Sequence, residues 1–166
     1  MSEEPQQQSG NEKISHRNSA RIAAVQALYE IDVTGAPADN VLNEFMTHRW
    51  KGAAIDDNDA PIEIPSFDTE LLKNIIEGVV AGQGQFDALI ADELSGIWTM
   101  ERLELLIRAI LRAGTYELAN RIDIPKRVVI NEYVNVAHAF FVENEPSMVN
   151  GVLDKLAQKL RIHEDK

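Results

Sequence analysis

Cysteine is absent from the chain, which removes disulfides and thiolate metal ligands from any account of how it folds or works. No apolar run is long enough to cross a bilayer, and the amino-terminal MSEEPQQQSGNEK has no apolar core of the signal-peptide kind. The expectation is therefore a soluble, cytoplasmic protein with no membrane association. The four histidines, His16, His48, His138 and His163, are far apart, and none stands four residues from another, so no helical metal pair is expected. Cations are scarce as well: 16 Lys and Arg face 27 Asp and Glu, a formal charge of -11 that argues against general charge-driven affinity for nucleic acid.

Motifs of catalysis and cofactor binding are missing too. Asp57-Asn58-Asp59 has the start of a calcium loop without its central glycine and distal glutamate. Gly82-Gln83-Gly84 follows no strand and lacks the Lys-Ser/Thr pair of a phosphate loop, and there is no Gly-x-Ser-x-Gly elbow. Neither an enzyme nor a bound cofactor or metal is expected.

What the chain does contain is helical spacing nearly throughout. Ala20, Ala24, Ala27, Leu28 and Ile31 form one stripe, stopped by Thr34-Gly35; Val41, Leu42, Phe45 and Met46 form a short second one. Residues 51–66 read as an acidic loop with two prolines. Leu72, Ile75, Ile76 and Val79 predict a third helix, broken or bent at Gly82-Gln83-Gly84 before Phe86, Leu89, Ile90 and Leu94. The longest stripe, Leu103, Leu106, Ile107, Ile110, Leu111, Gly114 and Leu118, is expected to open at Thr99. Asp123-Ile124-Pro125 then reads as a stop and restart, with Asp123 capping and Pro125 in the first turn of the next helix. Val149, Val152, Leu153, Leu156 and Leu160 line the last helix. The spacing predicts an all-α protein of about seven helices, with residues 1–12 a disordered tail and 13–166 one domain. Gly114 and Gly151 fall inside helical patterns, where each costs roughly 1 kcal/mol against alanine, so close helix approach and simple tolerance are both open.

One stretch stands out against the acidic background. From Lys13 to Tyr29 there is no Asp or Glu, and Lys13, Arg17 and Arg21 are the only charges, with His16 beside them. Arg17 and Arg21 lie one helical turn apart, and Gln26 and Tyr29 follow. Arginine forks grip phosphates, an amide reads a base edge, and a tyrosine stacks on an unpaired base, a mix suited to single-stranded RNA. The alternative is a solvated first turn whose arginines pair with acids of the loop.

Three blocks, ARIAAVQALYEIDVTG, RAILRAGTYELANRIDIPKRVVINEYVNVAHAF and MVNGVLDKLAQKLR, resemble in order the hallmark segments of the NusB family of transcription antitermination factors. The resemblance runs from about Arg17 to Arg161. It implies an all-helical fold of two packed lobes, binding of the boxA RNA element of ribosomal RNA leaders, partnership with the ribosomal protein NusE, and a place in the RNA polymerase antitermination complex. The basic stretch is where the family carries its arginine-rich RNA-binding motif, thinned here to Arg17 and Arg21 with Lys13 and His16. Asn144 and Met148 match positions the family places beside RNA, with capping and core packing as their alternatives. Ile107 stands where the family often has an acidic residue near the partner; a core role is its alternative. Glu104 and Arg108, four apart, are candidate partner contacts or a pair along the helix. Two other readings stay open: a protein-interaction scaffold with little RNA affinity of its own, and the helical domain of an RNA cytosine methyltransferase, disfavoured because no methyl-donor-binding domain follows in this sequence. A homodimer is also left open.

Overall fold

The alanine-rich stripe of the first helix lets neighbouring helices approach closely, and that sets the architecture. In the computed structural model, which describes the backbone of residues 6–49 and 68–164 and the side chains of 16–47 and 68–164, Ala20, Ala23, Ala24, Val25, Ala27 and Leu28 are all buried. The helices are α1 (Gln6–Thr34), α2 (Ala38–Glu44) continued by a π-helical turn (Phe45–Arg49), α3 (Thr69–Glu93), α4 (Leu105–Asn120), α5 (Lys126–Phe140) and α6 (Glu145–Leu160). No strand occurs among the described residues. The acidic loop and the Asp57-Asn58-Asp59 motif lie outside them.

Local chemistry explains most helix ends. Gly35 at φ 71° takes the left-handed position after α1, and its N–H donates to the Ile31 carbonyl at 2.9 Å. Asp68 caps α3 by accepting from the Leu71 N–H at 2.9 Å. Pro146 sits in the first turn of α6, where a missing N–H costs nothing.

Several expected boundaries move. Helix α1 begins at Gln6, so the stretch read as a tail through residue 12 is helical from that point. Gly82 bends α3 (φ -112°, ψ 15°) without ending it; a Cβ there would lie 2.9 Å from the Phe86 ring, which itself stacks edge-on against Tyr116. Thr99 to Leu103 form a hydrogen-bonded turn before α4 rather than its first turn. Pro125 is the residue before α5, and the Asp123 carboxylate holds Arg121 at 2.9 Å instead of capping.

Helix α4 is the axis of the fold. It packs against α1 and α3 on one side and α5 and α6 on the other, so the two helical lobes share one continuous core. Every residue from Ala109 to Leu118 is buried, including Arg112, Thr115 and Glu117. Gly114 admits α6 at close range, because a Cβ there would meet the Leu153 methyls at 3.0 Å. Gly151 shows the opposite case: a Cβ would meet nothing within 4 Å.

Candidate RNA interface

A helix that is buried on all sides must satisfy its polar side chains internally, and the basic stretch does this for α4. Arg21 is only 1% exposed. Its Nε and Nη2 donate to Glu117 Oε2 and Oε1 at 2.9 and 2.8 Å, a bidentate pair joining α1 to α4. The Tyr133 hydroxyl of α5 donates to the same Oε2, and its ring centroid lies 6.0 Å from the Arg21 guanidinium. Burial alone would weaken the hold of Arg21 on its proton; the hydrogen bonds and charge of Glu117 outweigh it and leave the guanidinium above its ordinary pKa. Burial, with the Glu117 charge, pushes the Tyr133 phenol well up. Arg21 is therefore a core residue. It has no surface to offer a phosphate, and the expectation that it grips RNA is corrected.

Arg17 differs although it lies only one turn away. It sits below the level of the core, and its side chain is 46% exposed, 4.0 Å from Asp68 and within electrostatic reach of Asp123. A pair this exposed is worth at most about 1 kcal/mol and exchanges readily for another anion. The His16 carbonyl accepts from the Asp68 N–H at 3.2 Å, which ties this turn of α1 to the start of α3. The Lys13 side chain lies outside the described residues.

At about 100° per residue, Gln26 stands about 180° and Tyr29 about 120° around α1 from Arg17. Both are exposed, Tyr29 by 42%. They form a face of their own and do not join Arg17.

Asn144 and Met148 meet in a cleft of about 300 Å3 between the end of α3, the following loop and α6. Asn144 precedes α6 but makes no side-chain cap bond, so the capping alternative fails, and its amide makes no hydrogen bond among the described residues. Met148 is half-buried against the core. This cleft and Arg17 occupy opposite ends of the 25-residue α3, separated by about 37 Å of helix.

Among the candidate partner residues, Ile107 is 1% exposed and packs in the core, which removes it from any docking surface and corrects that expectation. Glu104 is exposed just before α4. It does not pair with Arg108, whose Nη2 donates instead to the Glu101 carbonyl at 3.2 Å and whose Nε has no hydrogen-bond partner among the described residues.

The sequence reading missed the buried charge network. Arg112 joins three helices: its Nε and Nη2 hold Asp87 of α3 at 2.7 and 2.9 Å, and its Nη1 holds Asp32 of α1 at 2.7 Å. Arg161 collects the carbonyls of Glu117, Leu118, Arg121 and Ile124 and so closes the carboxyl end of α4. An arginine inside an apolar stripe is the one signal that could have revealed them.

This arrangement has counterparts. The sequence profile of the NusB family matches residues 18–158. The chain is 44% identical over 155 residues to the transcription antitermination protein NusB of Nitrobacter hamburgensis, covering 93% of each chain. Its fold superposes on NusB of T. maritima with a TM-score of 0.68 at 28% identity, covering 86% of this chain and 91% of the other. A crystal structure of the antitermination factors NusB and NusE in complex with double-stranded RNA matches with a TM-score of 0.68 at 25% identity, over 87% and 98% of the two chains.

Proposed function

Since the chain belongs to the NusB family, we propose that it is a non-enzymatic antitermination factor that binds boxA RNA of ribosomal RNA operon transcripts together with NusE, within the RNA polymerase antitermination complex in the cytoplasm. The observation that carries this reading is the exposed guanidinium of Arg17 in a stretch free of acidic residues, on a helix whose other arginine is buried. Arg17, with His16 and Lys13, supplies the phosphate contacts; Gln26 and Tyr29, and separately Asn144 and Met148, are the further RNA-facing positions. Glu104 and Arg108 are proposed for the partner. The NusB–NusE–RNA complex with which this fold aligns supports RNA and NusE as the ligands to test.

A second reading is favoured by the same geometry. With Arg21 buried and Arg17 facing Asp68, the cationic footprint is small, as in a scaffold that binds NusE and has little RNA affinity of its own. Titrating a labelled boxA RNA with this protein, alone and with NusE, separates the two. Weak binding alone and much tighter binding by the pair is the expected result; RNA binding by NusE that this protein does not improve would support the scaffold.

A further inference from the structure

The cleft between the end of α3, the following loop and α6 is lined by Trp98 and Met148 together with the polar Glu93, Asn144 and Lys155. Gly96, at φ +65°, turns the chain after α3, and the Trp98 N–H donates to the Ser95 carbonyl at 3.2 Å. The indole is half-buried against the core and lines the cleft together with Met148. On the α3 side stands Glu93, one of whose oxygens, Oε1, is paired with Lys159. Its Oε2 accepts no hydrogen bond among the described residues. Lys155, one turn before Lys159 on the same face of α6, lines the cleft and makes no ion pair among the described residues. Asn144 completes the rim with a side chain that caps nothing.

We propose that this cleft is a subsite for one unpaired RNA base, and that Glu93 makes it select bases bearing an edge amino group, cytosine foremost, over uracil. The inference rests on the RNA-binding reading above. An aromatic plane accepts any base by stacking, and a thioether packs favourably on aromatic rings. Stacking does not distinguish one base from another; the carboxylate does. Glu93 Oε2 accepts from an amino group such as the N4 of cytosine. Uracil has its N3–H set between two carbonyl oxygens, which a carboxylate repels. The ion pair with Lys159 holds the Glu93 carboxylate in place, and Lys155 provides the cation for the adjacent phosphate.

The test uses the full-length protein and two fluorescein-labelled single-stranded octamers, one of cytidine and one of uridine, titrated at low salt. The unmodified protein is expected to prefer the cytidine octamer by about tenfold. Glu93→Gln, whose amide can both donate and accept, should bring the ratio below about twofold. A ratio of affinities is unaffected by a loss of folded fraction. Trp98 is one of only two tryptophans, so a Trp50→Phe protein gives emission from the cleft alone, which cytidine octamer should quench. Equal affinities for the unmodified protein, a preference that survives Glu93→Gln, or no quenching would each overturn the subsite while leaving RNA binding intact. Failure of both octamers and of boxA RNA to bind, with or without NusE, would overturn the RNA-binding reading and the subsite with it.

Discussion

Arg21 and Glu117, 96 positions apart in sequence, form a bidentate ion pair at 2.9 and 2.8 Å that is closed to solvent. The pair converts the second arginine of a basic stretch into the bolt between α1 and α4. It leaves the first arginine as the one exposed on the surface.

The two arginines should therefore respond differently to truncation. Arg21→Ala strands the Glu117 carboxylate and is expected to cost about 3–5 kcal/mol. Arg17→Ala removes an exposed pair and should stay within about 0.5 kcal/mol. Denaturant unfolding of both variants checks this, and equal stability losses would show that Arg17 is structural.

The salt dependence of RNA binding should be shallow. With Arg21 unavailable, one to three contacts from Arg17, Lys13 and Lys155 give a log–log slope of about -0.7 to -2.1 for single-stranded RNA. Arg17→Ala should lower its magnitude by about 0.7. A titration series over salt concentration measures both values.

How much of this was legible follows from which interactions are local. The stripe Leu103 to Leu118 announced α4 because its spacing repeats within a few turns, and Thr34-Gly35 announced a helix end that needs only local backbone chemistry. Arg21 was harder. It shares its residue type with Arg17, and only Glu117, far along the chain, tells them apart. A local clue existed, since Arg21 lies in the stripe with Ala24 and Leu28, whereas Arg17 falls below the last core alanine, Ala20. The Asn144–Met148 cleft could not be read at all. Two of its other lining residues, Glu93 and Trp98, come from about fifty positions earlier.

The two glycines of the apolar stripes should give opposite results. Gly114→Ala places a methyl group 3.0 Å from the Leu153 methyls and is expected to destabilise by about 1–3 kcal/mol. Gly151→Ala meets open space and should stabilise by up to about 1 kcal/mol through helix propensity alone. Melting temperatures of the two variants give the comparison.

Glu132 should make stability depend on pH. Burial pushes its carboxyl above the ordinary value of 4.5; the Arg21 charge works against this and the Glu117 charge adds to it. The fold thus favours the protonated form. That contribution is complete below the unfolded-state pKa and is lost as pH rises through the higher folded-state value. Glu132→Gln should therefore be more stable than the unmodified protein at neutral pH, with the difference shrinking as pH falls toward 4. Thermal melts between pH 4 and 7 will show it, and a difference that grows on acidification would reverse the sign.

The division of labour between Arg17 and Arg21 is tested most directly by the arginine Nε–H resonances of the 15N-labelled protein during titration with boxA RNA in the presence of NusE. The Arg21 signal, hydrogen-bonded to Glu117 and closed to solvent, should exchange slowly and keep its position throughout, while the Arg17 signal shifts with RNA. An Arg21 signal that exchanges rapidly, or that moves with RNA as far as that of Arg17, would contradict the account.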